Sequence, residues 1–152
     1  MSKRFLVALL ALGLVVAGST SVAFAKKHKK TVKLTAQIAQ VSPSGASPII
    51  DAGTVSGTFG AGAVILRSTV TGTTIKSKGK VWYDKGTISS TATVTATAQR
   101  DGSITYSGTG RITRGTGKFK HAKGTYTITG TSPPNDPGHA SLQTSGTLTY
   151  GS

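Results

Sequence analysis

Side chains able to do acid–base chemistry are scarce in this 152-residue chain, which has four Asp, three His, no Glu and no Cys. Hydrolysis by paired carboxylates needs two acids brought together. Asp84 opens an Asp84-Lys85-Gly86 turn, Asp101 belongs to an Asp-Gly dipeptide, and Asp136 lies in a proline-rich stretch. These three read as turn formers, because a short carboxylate readily hydrogen-bonds its own backbone. Asp51, beside Ile49-Ile50 and just ahead of a predicted strand, is the one acid placed to face the mouth of a pocket. His28, His121 and His139 lack metal-ligand spacing. Without cysteine there is no thiolate site and no disulfide. No nucleophile elbow or phosphate-binding loop is present; a Ser/His/Asp triad, being a spatial arrangement, stays open. The sequence therefore assigns no catalytic residue, no metal and no cofactor.

The elements that would position Asp51 are strands. Threonine occurs 25 times, and its β-branched side chain suits a half-buried pleated surface. From Thr87 to Ala98 the chain alternates: Ile88, Ala92, Val94, Ala96 and Ala98 share one parity, and Thr87, Thr91, Thr93, Thr95 and Thr97 the other. A strand sends two such sets to opposite faces, whereas a helix would wind them around its whole surface. Gln99-Arg100-Asp101-Gly102 then predicts a hairpin turn, and Ile104, Tyr106 and Ile112 carry the return strand. Further strands are predicted from Val32, over Gly53–Phe59, Ala63–Val70 and Thr73–Tyr83, around Thr125–Thr129, and from Leu142 to Tyr150. Loops are predicted at Pro43–Pro48 and Ser132–Gly138, where proline and glycine interrupt the ladder. About eight strands joined by tight turns, with no helical stripe between them, predict an all-β antiparallel barrel, with a β-sandwich as the alternative.

One segment carries a family likeness. Gly115-Thr116-Gly117-Lys118-Phe119-Lys120-His121-Ala122-Lys123-Gly124 resembles the Gly-x-Gly-x-Phe-x-x-Ala-x-Gly pattern that joins two strands in the allene oxide cyclase and dirigent-like barrels. The likeness spans about half of the chain beyond residue 25, and it resembles most the secreted bacterial members of that group. It implies an eight-stranded, calycin-like barrel. Read physically, Gly115 and Gly117 let the backbone bulge, Phe119 plugs a barrel end, and Tyr126 resumes the inward face. The resemblance implies two activities: cyclisation of an apolar fatty-acid epoxide, an isomerase reaction, or the steering of phenolic coupling by aspartates with tyrosine and arginine. No residue of either family's machinery maps onto this chain beyond the structural motif. A barrel of this size is filled by side chains or holds one small ligand, and the candidate pocket residues are Asp51, Trp82, Tyr106, Phe119 and Tyr126.

Charge is the other strong signal. The chain carries 18 Lys and Arg against four Asp, a formal net charge of +14. Lys76, Lys78 and Lys80 share one strand parity, and Arg111, Arg114, Lys118, Lys120 and Lys123 cluster around the glycine motif. With Lys26, Lys27, Lys29 and Lys30 they form a candidate anion-binding surface. Residues 26–31 are expected to be a free, disordered basic arm, because like charges repel. Lys3 and Arg4, an apolar stretch from Phe5 to Ala17, and Ala23-Phe24-Ala25 read as a signal peptide cleaved after Ala25. The apolar core is shorter than the roughly 20 residues of a membrane span, and no later segment is apolar enough to provide one. The expected organisation is thus a signal peptide at 1–25, an arm at 26–31, and one barrel domain at 32–152. The expected product is an exported, non-catalytic barrel that associates with anionic envelope polymers, or else holds a small apolar ligand as an enzyme or carrier. No specific nucleic acid is expected: base stacking needs exposed aromatics, and only Trp82 and Tyr83 stand next to the lysine face. Oligomeric state is not legible.

Overall fold

The computed structural model describes residues 26–151. The expected signal peptide lies outside the described residues. Eight strands follow in chain order: β1 (His28–Gln40), β2 (Ile49–Gly57), β3 (Gly62–Thr71), β4 (Thr74–Tyr83), β5 (Gly86–Ala98), β6 (Ile104–Gly115), β7 (Lys123–Ser132) and β8 (His139–Tyr150). Each pairs antiparallel with the next, and β8 returns to β1, so the sheet closes into a barrel. The expected all-β barrel is what forms; the sandwich alternative is not. A single turn of 3-10 helix, Gly117–Phe119, links β6 to β7.

Closure follows from the alternation. On β5, Ile88 and Val94 are buried while Thr93 and Thr95 are exposed. On β1, Val32, Leu34 and Ala36 turn inward and pack on the core, while Thr31, Lys33 and Thr35 face out. One face per strand must leave water, and a barrel removes all those faces at once without leaving a sheet edge.

Two expectations about element limits need correction. Residues 26–31 are not a free arm throughout, because β1 begins at His28 and pairs His28 with Tyr150, Lys29 with Thr149 and Lys30 with Leu148. Pairing with the last strand supplies backbone hydrogen bonds that outweigh the repulsion between exposed lysines. Strand β2 starts at Ile49 rather than Gly53 and ends at Gly57, so Phe59 leaves the strand. The cause is its partner: Ile49 to Ala52 pair with Ile65 to Ser68 of β3.

The two ends of the barrel differ. At one end Phe119 and Ala122 are buried with Val55, Tyr83, Ile88, Leu148 and Tyr150, and Phe59 packs against them. The rings of Phe59, Tyr83, Phe119 and Tyr150 meet with centroids between 5.0 and 6.0 Å, mostly edge to face, the arrangement that the ring quadrupole favours. The β1–β2, β3–β4, β5–β6 and β7–β8 connections gather at the opposite end.

Candidate ligand cavity

Behind the aromatic plug the barrel is hollow. The cavity measures about 270 Å³. Its wall is the inward set of the strands: Leu34, Ala36 and Ile38 of β1, Val64 and Leu66 of β3, Ala92 and Val94 of β5, and Ile128 and Leu142 beyond. Asp51, Gln40, Pro137 and Gly138 line it at the open end. Among the described residues the wall carries Asp51 and no lysine, arginine or histidine.

Asp51 reaches this position through register. It pairs with Gln40 on β1 and Leu66 on β3, both of which also line the cavity. Partial burial among apolar neighbours disfavours the carboxylate, so its pKa is raised above the usual 3.8. Tyr126 is raised as well, mainly by burial, with a hydrogen bond from Ser90 pulling the other way. Its ring has room because the facing residue is Gly110: a Cβ there would overlap the phenol carbons. Tyr106 closes a polar contact at the wall, its hydroxyl 3.0 Å from Oγ of the fully buried Ser132. Ser68 and Ser77 pair their hydroxyls at 2.7 Å. Tyr83 Oη is buried with no hydrogen-bond partner among the described residues.

Three of the five expected pocket residues therefore meet at the cavity: Asp51, Tyr106 and Tyr126. Phe119 does not line it. That ring is 2% exposed inside the plug and closes the end instead, as the bulged glycine motif implied. Trp82 faces outward, 37% exposed, with Lys80 Nζ 5.1 Å from its ring centroid. The reason is parity: Trp82 shares the face of Lys76, Lys78 and Lys80, while Val81 and Tyr83 line the interior. Gln40, Ser68, Ser77, Ser90 and Tyr83 also line the cavity, beyond the five residues the sequence nominates. Extending the same parity count along β3, β4 and β5 finds the last four, and carrying the even parity of Val32 to Ile38 two residues further along β1 finds Gln40.

The other three aspartates lie away from the cavity wall. Asp101 accepts hydrogen bonds from the Ser103 hydroxyl and amide, which lower its pKa. Asp136 meets His139, Oδ2 to Nδ1 at 2.6 Å, across the β7–β8 loop. Asp84 sits in the β4–β5 turn. Among the described residues no three His, Asp or Glu side chains gather into a metal cluster.

The cationic residues separate into two regions. Lys76, Lys78 and Lys80 lie along the outer face of β4, with Arg111 and Arg114 two strands away on β6. Lys118 and Lys120 lie at the plug end, and Lys123 and Lys29 both pair with Thr149 there, close to Lys26, Lys27 and Lys30.

No family model matches the chain, and no curated protein matches it. Among solved structures, the barrel is similar to the pterocarpan synthase dirigent protein GePTS1, with a TM-score of 0.56 and 14% identity over 95% of this chain and 100% of that one. The pterocarpan synthase dirigent protein PsPTS1 matches with a TM-score of 0.45 and 13% identity, over 84% of this chain and 97% of that one. The chain thus has the eight-stranded barrel fold of the dirigent proteins, the fold that its glycine-punctuated segment implied.

Proposed function

We propose that the protein is an exported, non-catalytic binding barrel, and that its cavity holds a small, neutral, apolar molecule carrying a hydroxyl group. The observation that carries this reading is the cavity wall, apolar throughout most of its surface, with, among the described residues, a single acid at the open end and no basic side chain. Small-molecule sites are of this type, an apolar hollow with a few polar groups that fix orientation. An apolar cavity of about 150 Å³ accepts benzene, so 270 Å³ has room for a two-ring molecule. Asp51 can accept a hydrogen bond from a ligand hydroxyl. A ligand carboxylate would find no counter-ion inside and would face Asp51, which argues against a free fatty acid.

The dirigent fold makes phenols the first chemistry to try. The resemblance implied aspartate, tyrosine and arginine acting together; here Asp51, Tyr106 and Tyr126 are present and arginine is absent from the wall. That departure favours holding a ligand over steering its coupling, and over an isomerase of the allene oxide cyclase type. Export rests on the signal-peptide pattern of residues 1–25.

The test is a titration with 2-naphthol and with 2-naphthoate, followed by ligand fluorescence. Naphthol binds at least tenfold tighter, and Ala92→Phe, which fills the hollow, removes the binding. Equal affinity for the two probes, or naphthol binding untouched by Ala92→Phe, would overturn the reading.

A further inference from the structure

The outer face of β3 to β6 carries six exposed cations: Arg67, Lys76, Lys78, Lys80, Arg111 and Arg114. Cross-strand pairing sets them in rows. Arg67 pairs with Lys78, Lys78 with Thr91, and Thr91 with Arg111. One row further on, Lys80 pairs with Ser89 and Ser89 with Arg114. Arg114 reaches this face through an irregularity. Ser90 pairs with Ile112 but Ser89 pairs with Arg114, so Thr113 is an extra residue on β6. Without it Arg114 would share the parity of Ile112 and point into the barrel.

The result is two basic rails, β4 and β6, on either side of a lane of hydroxyls from Ser89, Thr91 and Thr93 on β5. Alternate residues along a strand stand about 6.7 Å apart, and two strand spacings separate the rails by about 9.5 Å. Among the described residues the only ion pair joins His139 and Asp136, so no carboxylate neutralises these six cations. They repel one another until an anion lies between them.

We infer that this face binds a linear anionic polymer of repeating phosphate or carboxylate groups, lying along β5 with its charges on the rails and its hydroxyls in the lane. A straight row of charges fits an extended chain. A lipid surface is a poorer fit, because among the described residues Ile65 and Trp82 are the only large apolar side chains exposed beside the rails and surface-lying segments bury a broad apolar face. Single-stranded nucleic acid is a poorer fit too, since one tryptophan makes no stacking platform. The site is on the opposite side of the sheet from the cavity and does not depend on what the cavity holds.

The test titrates the protein with polyphosphate and polygalacturonate, which separate phosphate from carboxylate recognition, and with phosphatidylglycerol vesicles and single-stranded DNA. The triple variant K76Q/K78Q/K80Q loses roughly tenfold or more in affinity for the preferred polymer and has a shallower salt dependence. K29Q/K120Q/K123Q, which removes the same charge at the plug end, stays within twofold of wild type. K76R/K78R/K80R retains binding, and all variants keep the wild-type melting temperature and naphthol affinity. Equal losses in the two Gln triples would reduce the effect to net charge and overturn the proposal. Tighter binding to vesicles or to DNA than to either polymer would overturn it as well.

Discussion

The ring of Phe119 meets the ring of Phe59 edge to face, with centroids 5.0 Å apart and planes inclined by 70°. Phe59 belongs to the β2–β3 turn and Phe119 to the β6–β7 connection, so this contact ties opposite sides of the barrel together at its closed end. Phe119 is almost wholly buried, and truncating a buried phenylalanine costs about 3–5 kcal/mol. Phe119→Ala is expected to lose that much stability in urea unfolding, and Phe119→Leu less. An unchanged midpoint would show that the ring does not hold the closed end.

Gly115 tests the bulged motif by a different route. A Cβ there would overlap the carbonyl oxygen of Phe119 and stand 2.8 Å from Cβ of Ala122. Backbone cannot yield as a flexible side chain can. Gly115→Ala is therefore expected to destabilise by about 1–3 kcal/mol, the usual cost of overpacking, despite its better intrinsic propensity. A stability at or above wild type in thermal melting would refute the close approach.

Tyr83 supplies an orphaned hydroxyl. Its Oη is buried without a partner among the described residues, and an unmade buried hydrogen bond costs about 1–3 kcal/mol. Tyr83→Phe keeps the ring in the plug and is expected to stabilise the protein by about 1 kcal/mol. Burial also pushes the Tyr83 phenol up to about 12 from 10.0. The native state then holds a proton that the unfolded state releases, so stability is lost as pH rises from 10.0 through about 12. In wild type this loss appears in denaturant melts above pH 10.0, and Tyr83→Phe lessens it.

Asp51 makes the opposite end pH-sensitive. Its folded pKa is raised above 3.8 by burial, so the native state binds the proton more tightly and stability falls as pH climbs through the interval above 3.8. Asp51→Asn is expected to melt above wild type at pH 7, with the two curves converging below pH 3.8. The same variant is expected to bind naphthol more weakly, because an amide accepts a hydrogen bond less strongly than a carboxylate. A melting difference that persists at low pH would assign the effect to packing.

Much of this could be read from alternation and turn chemistry. Thr87 to Ala98 forms one strand with the expected faces, Asp101-Gly102 turns into β6, and the prolines after Ser132 end β7. Asp51 was legible as the exceptional acid because the other three stand in turn sequences. Trp82 shares the parity of Lys80 and stands outside the barrel, although an aromatic residue next to Val81 invites a place in the pocket; only burial decides the matter. The expected arm at residues 26–31 follows from charge alone, and charge says nothing about whether β8 offers a free edge.

By itself the sequence determined the strand periodicity, the outward row of Lys76, Lys78 and Lys80, and the excess of positive charge. These depend on neighbours a few residues apart, and local chemistry settles them. The tertiary structure alone decided that the interior is hollow, that Asp51 joins Tyr106 and Tyr126 at its wall, and that Arg114 stands on the same face as Arg111. Each of those depends on register between strands distant in sequence, where one extra residue such as Thr113 turns every later side chain to the other side of the sheet.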